Sequence, residues 1–126
     1  MIYSEHSEEY RVKFYRNNKT SGSPVLDYLK GLGKKDRAKV SKYIEFLRIH
    51  EGHLDEPYSR HITGKIRELR VDFGRNRHRI FYFTFVKKTI ILLHAFLKKT
   101  PKTPVSEIKK TQEYYQDVIQ NPKIYE

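Results

Sequence analysis

Residues 92–104 read LLHAFLKKTPKTP, an apolar run that holds one histidine and then delivers two adjacent lysines. Two arginines upstream, Arg70 in IRELRVDF and Arg79 in HRIFYF, sit in runs of similar apolar character. Arg70, Arg79, His94, Lys98 and Lys99 form the candidate reactive set. A guanidinium offers a planar fork of charged donors, so Arg70 and Arg79 suit the oxygens of an anion such as a phosphate. A lysine crowded by other cations gives up its proton more readily, so Lys98 or Lys99 can neutralise developing charge or take part in proton transfer. Free histidine titrates near neutrality and suits acid–base work. His94 has a plainer role too: Leu92, His94 and Phe96 share one side of a buried strand, where a satisfied interior histidine is the commoner case. Glu68 reads first as an ion-pair partner for the arginines and second as a base.

Charge is concentrated around this set. The chain has 126 residues, with 26 Lys and Arg against 15 Asp and Glu, a formal net charge of +11. Its isoelectric point lies near 9.8, which favours a polyanionic partner. Residues 65–79 hold six basic side chains against two acids, and residues 98–110 hold five lysines against one acid. Acids gather elsewhere, over 5–9 and 51–56. Lys65, Arg67, Arg75, Arg77 and Lys102 therefore extend the set as candidate nucleic-acid contacts, and Tyr114 is a candidate for stacking on a base. With no cysteine, neither a disulfide framework nor a thiolate metal site is available. The six histidines are scattered without ligand spacing, so no metal and no cofactor is expected. No apolar stretch reaches membrane-spanning length, and the N-terminus MIYSEHSEEY is acidic and polar. A cytoplasmic protein without a membrane partner is the expectation.

One domain over residues 1–126 must position these side chains, with residues 1–9 an acidic extension. YRVKFYR (10–16) alternates as a first strand. Ser23 and Pro24 have the types found at a helix N-cap and first turn, and Val25, Leu26, Leu29 and Leu32 follow at helical spacing. A second helix is predicted over 34–51 with the stripe Ala38, Val40, Tyr43, Ile44 and Leu47. IRELRVDF alternates as a strand, with Gly74 and Asn76 supplying left-handed tolerance for the turn after it. Two further strands, 78–86 and 90–97, are rich in aromatic and aliphatic residues. Pro101 and Pro104 stop the last strand. A final helix then begins near Pro104, with Val105, Ile108, Tyr115 and Val118 as its stripe. The order β-α-α-β-β-β-α implies an α+β fold: a small, mainly antiparallel sheet, an N-terminal two-helix hairpin on one face and a C-terminal helix nearby. In such a meander the start of one strand lies beside the end of the next, which brings Arg77 and Arg79 toward Lys98 and Lys99. Tyr82, on the strand side opposite Arg79, Phe81 and Phe83, reads as core.

The segments IRELRVDFGRNRHRIFYF and IILLHAFLKKTPKTPVSEI resemble the HigB-type, phage-related branch of the RelE/ParE toxin superfamily. The resemblance runs from Tyr10 to about Gln120. It implies the toxin of a type II toxin–antitoxin pair that cleaves mRNA on the translating ribosome. It also implies a cognate, HigA-like antitoxin with a helix-turn-helix domain. On this resemblance Arg70 is the arginine of the E-L-R step and Arg79 the arginine before the aromatics of the middle strand. His94 belongs to the L-L-H step, and Lys98 and Lys99 close the last strand. Residues RHIT (60–63) depart from the lysine and leucine that relatives place there.

Such an enzyme needs no metal, because RNA carries its own nucleophile in the 2′-hydroxyl. Two other classes fit the charge. A ParE-like protein poisons DNA gyrase by binding it and lacks the basic cluster, which disfavours that class here. A non-catalytic basic module would lose affinity gradually with each cation removed, by about one unit of salt slope apiece.

Overall fold

The computed structural model describes residues 10–126; the acidic extension expected over 1–9 lies outside them. Five strands form one sheet in the order β1-β5-β4-β3-β2. They are β1 (Arg11–Phe14), β2 (Ser59–Thr63), β3 (Ile66–Phe73), β4 (Asn76–Phe85) and β5 (Thr89–Leu97). Three α-helices, α1 (Pro24–Lys30), α2 (Lys34–Ile49) and α3 (Val105–Gln120), and a closing 3-10 turn (Pro122–Tyr125) complete the described chain.

The aromatic and aliphatic runs of β4 and β5 are buried on both faces because each face is covered. On one side Val25, Leu29, Val40 and Leu47 of α1 and α2 pack with Leu69, Val71, Ile80, Tyr82 and Leu92. On the other, Val118 of α3 and Tyr125 of the closing turn pack with Phe81, Phe83, Ile91, Leu93 and Phe96. The helical hairpin and the C-terminal helix thus sandwich the sheet. His78 pins the hairpin to the start of β4. Its Nδ1 lies 2.7 Å from the Tyr28 hydroxyl, and its Nε2 lies 2.7 Å from Asp36. Burial, helped by the Asp36 charge, pushes the Tyr28 hydroxyl up to about 12.

Several expectations need correcting. Three of the four strand pairings are antiparallel, but the sheet is mixed: β1 runs parallel to β5, with Arg11 opposite Thr89 and Phe14 opposite Leu92. Parallel strands require a crossover connection, and the helical hairpin leaves β1 along one face as such a crossover does. Strand β2 has no counterpart in the sequence prediction, because only Ser59 of SRHIT is buried and the alternation is too weak to read. Asn76 is the first residue of β4 and not a turn residue; Gly74, at φ +59, supplies the left-handed position alone.

The helix stripes also shift. Ala38 is exposed, because two residues carry the chain about 200° round the helix from buried Val40. Val105 is 67% exposed, standing about 140° round α3 from Val118; buried Thr111 takes the central place instead. Ser23 occupies the N-cap of α1 but makes no side-chain cap bond.

A bulge has the largest effect on the site. Phe81 pairs with His94 but Tyr82 pairs with Leu92, so Leu93 is an extra residue in β5. Leu92 therefore faces the hairpin, while Leu93 faces α3. His94 and Phe96 stand on the α3 side with Phe81, so Leu92 does not share their face as expected.

Candidate active site

Antiparallel partners point to the same side of a sheet. Arg60 pairs with Glu68, Arg70 with Arg79 and Glu68 with Phe81, and Arg79 with Phe96. Register alone therefore lines up Arg60, Glu68, Arg70 and Arg79 on the α3 face. Lys98 follows directly after β5, and its backbone N–H donates to the carbonyl of Arg77 at 2.8 Å. That bond fixes the side chain at the sheet end.

The cluster is arranged around one carboxylate. Glu68 is 2% exposed, lies 3.7 Å from Arg70 Nε, and accepts a hydrogen bond from the Thr103 hydroxyl at 3.3 Å. Arg79 is also 2% exposed; its Nη1 donates to Asp72 at 2.7 Å and to the His78 carbonyl at 3.0 Å. Burial lowers the pKa of the Lys98 ammonium from lysine's ordinary value. The charges of Arg79, Arg70 and Arg60 lower it further, against the pull of Glu68. Among the described residues the buried Nε atoms of Arg70 and Arg79 have no hydrogen-bond partner. Each unmatched buried donor costs about 1–3 kcal/mol, more where the group is charged.

Beside Lys98 an open cleft of about 560 Å³ is lined by Arg75, Arg77, Lys98 and Lys99 together with Thr100 and Pro101. Four cationic side chains without a carboxylate form its walls. Lys102 is exposed in the loop just beyond, where its carbonyl accepts from the Thr100 hydroxyl at 2.6 Å.

His94 looks away from this cleft. Its Nε2 lies 2.8 Å from Glu107 of α3, and its ring lies between Phe96 and Tyr114. Burial holds its pKa below the usual histidine value, with Lys110 adding to this and the hydrogen bond and charge of Glu107 opposing it. The geometry is that of an interior histidine tied to a neighbour.

Three predicted contacts stand apart. Lys65 lies at the β2–β3 turn, at the far end of the sheet from the cleft. Arg67 is on the opposite face, where its Nε donates to Ser59 at 3.0 Å. Tyr114 stacks on Tyr15, with centroids 4.6 Å apart, and meets His94 edge-on, so part of its ring surface is already used.

Sequence reasoning missed Arg60, Thr103 and Glu107. Arg60 joins the cluster only through the unrecognised strand β2. Thr103 and Glu107 carried a fainter signal, their nearness to the lysine-rich TPKTP loop.

Comparison with known protein families matches residues 27–116 to the family described as Phage derived protein Gp49-like (DUF891). No curated protein matches the chain significantly.

Proposed function

Since the chain belongs to the Gp49-like family, a RelE/ParE-like toxin family of toxin–antitoxin systems, we propose that it is a HigB-type endoribonuclease that cuts mRNA on the translating ribosome without a metal. One observation carries this reading: Lys98 stands at a sheet end where three arginines and a buried glutamate act on its ammonium. A cationic cluster built for binding alone has no need of a half-buried lysine whose pKa its neighbours lower.

In this mechanism neutral Lys98 accepts the proton of the RNA 2′-hydroxyl, and the 2′-oxygen attacks the adjacent phosphorus. Arg70 and Arg79 hold the non-bridging oxygens as negative charge builds on them. Lys99, on the cleft wall, gives the departing 5′-oxygen its proton. The products are a 2′,3′-cyclic phosphate and a 5′-hydroxyl. Glu68 keeps the cations from repelling one another when no RNA is bound, and Arg75, Arg77 and Lys102 steer the strand. His94 holds α3 against the sheet through Glu107 and takes no proton from RNA. The partner implied by the toxin family is, in this reading, a HigA-like antitoxin with a helix-turn-helix domain.

The test uses purified ribosomes programmed with end-labelled mRNA, in a chelator-containing buffer adjusted to keep the ribosomes intact. Wild-type protein should cut and leave 2′,3′-cyclic phosphate ends. Arg79→Ala should abolish cutting, and His94→Gln should lose less activity than Arg79→Ala. If wild type leaves the mRNA whole, the reading passes to gyrase poisoning or to simple binding.

A further inference from the structure

On α2, residues 35, 39, 42, 46 and 49 recur at helical spacing and share one face. They are Lys35, Lys39, Lys42, Phe46 and Ile49. The face is cationic over its first half and apolar over its second. Phe46 is 43% and Ile49 41% exposed, so the apolar half of the face is open. Beside Phe46 an apolar groove of about 260 Å³ opens between Tyr43, Phe46, His50, Leu54 and Tyr58. Its aromatic rings are tilted against one another. Tyr43 is 6.0 Å from Phe46 and 6.1 Å from Tyr58, centroid to centroid. Tyr58 remains 49% exposed.

The charges nearby are sorted. Glu45 is taken up by Arg48 at 2.5 Å, and Glu56 lies 4.0 Å from Arg60. The lysines of the stripe have no such carboxylate at salt-bridge distance among the described residues. The reactive cluster lies on the other side of the sheet, the α3 side, whereas the groove at Phe46 opens on the hairpin side.

We propose that this face is the docking site for the antitoxin, which lays an acidic amphipathic segment along Lys35, Lys39 and Lys42 and sets an aromatic or branched anchor into the groove at Phe46 and Tyr58. Two features of the surface argue for an acidic amphipathic occupant. The cationic half demands carboxylates, and the aromatic half demands an apolar side chain set about two helical turns further along. Exposed Tyr and Phe in a pocket are the usual centre of a protein interface, with charges at its rim. The inference rests on the toxin family of the chain and not on the ribonuclease chemistry.

The antitoxin is identified as the gene product that restores growth to cells producing this chain. Its affinity for the full-length protein is then measured by titration calorimetry against Phe46→Ser, Tyr58→Ser, and the double variant Lys35→Glu, Lys42→Glu. Each should weaken binding by about 30-fold or more, and each should still arrest growth when produced without the antitoxin. Circular dichroism melts show whether Phe46→Ser is folded; the lysine pair is exposed and decides the matter if it is not. Unchanged affinity in the lysine and Tyr58 variants, with binding lost in Arg77→Glu, Lys99→Glu, would overturn the proposal and place the antitoxin over the cleft. A dimer in sedimentation that Tyr58→Ser converts to monomer would also overturn it, giving the groove to a second copy of the chain. Failure of the ribonuclease reading would show separately, as uncut mRNA with these affinities unaffected.

Discussion

Lys98 is half-buried where the charges of three guanidiniums and one buried carboxylate meet, and this has a signed consequence for pH. Its folded-state pKa lies below the 10.5 of an unperturbed lysine. Between those two values the unfolded chain binds more protons, so stability rises with pH across the window and the penalty is present in full below it. Activity should move in the same direction. If neutral Lys98 takes the 2′-hydroxyl proton, single-turnover cleavage rises with pH toward the lowered pKa and then levels. Lys98→Ala should cut the rate by about 10²–10⁴-fold and flatten that rising limb, measured as rate constants across a pH series. A variant that slows cleavage equally at every pH would make Lys98 an electrostatic group and take the base role from it. Asp72 shows a different kind of control. It is 63% exposed, yet it is the carboxylate that holds the buried Arg79, so a phosphate brought to Arg79 would have to displace it.

At the level of elements, α2 tests how the hairpin is held. Leu47 is fully buried against the sheet, whereas Ala38 is exposed. Leu47→Ala should cost about 2–5 kcal/mol in urea unfolding, and Ala38→Lys should change stability by no more than about 0.5 kcal/mol. Equal effects would mean that the helix face has been assigned wrongly. Val40 and Leu47 could be read from the sequence because a helical period repeats over several turns and one misplaced residue does not spoil it. The strands beside them are legible for a similar reason: IRELRVDF alternates cleanly, which puts Arg70 and Glu68 on one side and Leu69 and Val71 on the other. Three things escaped. The direction of β1 depends on which neighbour it finds, and four residues do not encode that. Strand β2 has too little buried surface to carry a pattern, and Arg60 went unseen with it. The bulge at Leu93 inserts one residue into a run that is apolar on both faces, where alternation has nothing polar to mark it. Meeting of the site cations at one sheet end followed from antiparallel order and was legible; the far placement of Lys65 and Arg67 follows from end and face, which charge counting ignores.

For the molecule as a whole, the charge of +11 acts through its distribution. Arg75, Arg77, Lys98 and Lys99 share one cleft, so a single strand crossing it should release counterions in proportion to the phosphates met there. Removing Arg77 and Lys99 together, as glutamines, should flatten the slope of log affinity against log salt by about 1.4 units for a single-stranded RNA. Lys65→Gln, at the other end of the sheet, should leave the slope alone. Fluorescence anisotropy at several salt concentrations reads both, and an equal effect of Lys65→Gln would show that the whole surface binds and not the cleft.

The parallel pairing of β1 with β5 ties the first described strand to the last, with two helices and three strands threaded between them. During synthesis at roughly 5–20 residues per second, several seconds separate the two partners. Until β5 emerges, β1 has no neighbour in the sheet, and the cluster of Arg70, Arg79 and Lys98 has no wall. The topology works as a clock: the sheet, and the cluster it carries, can close only after the last strand has been made.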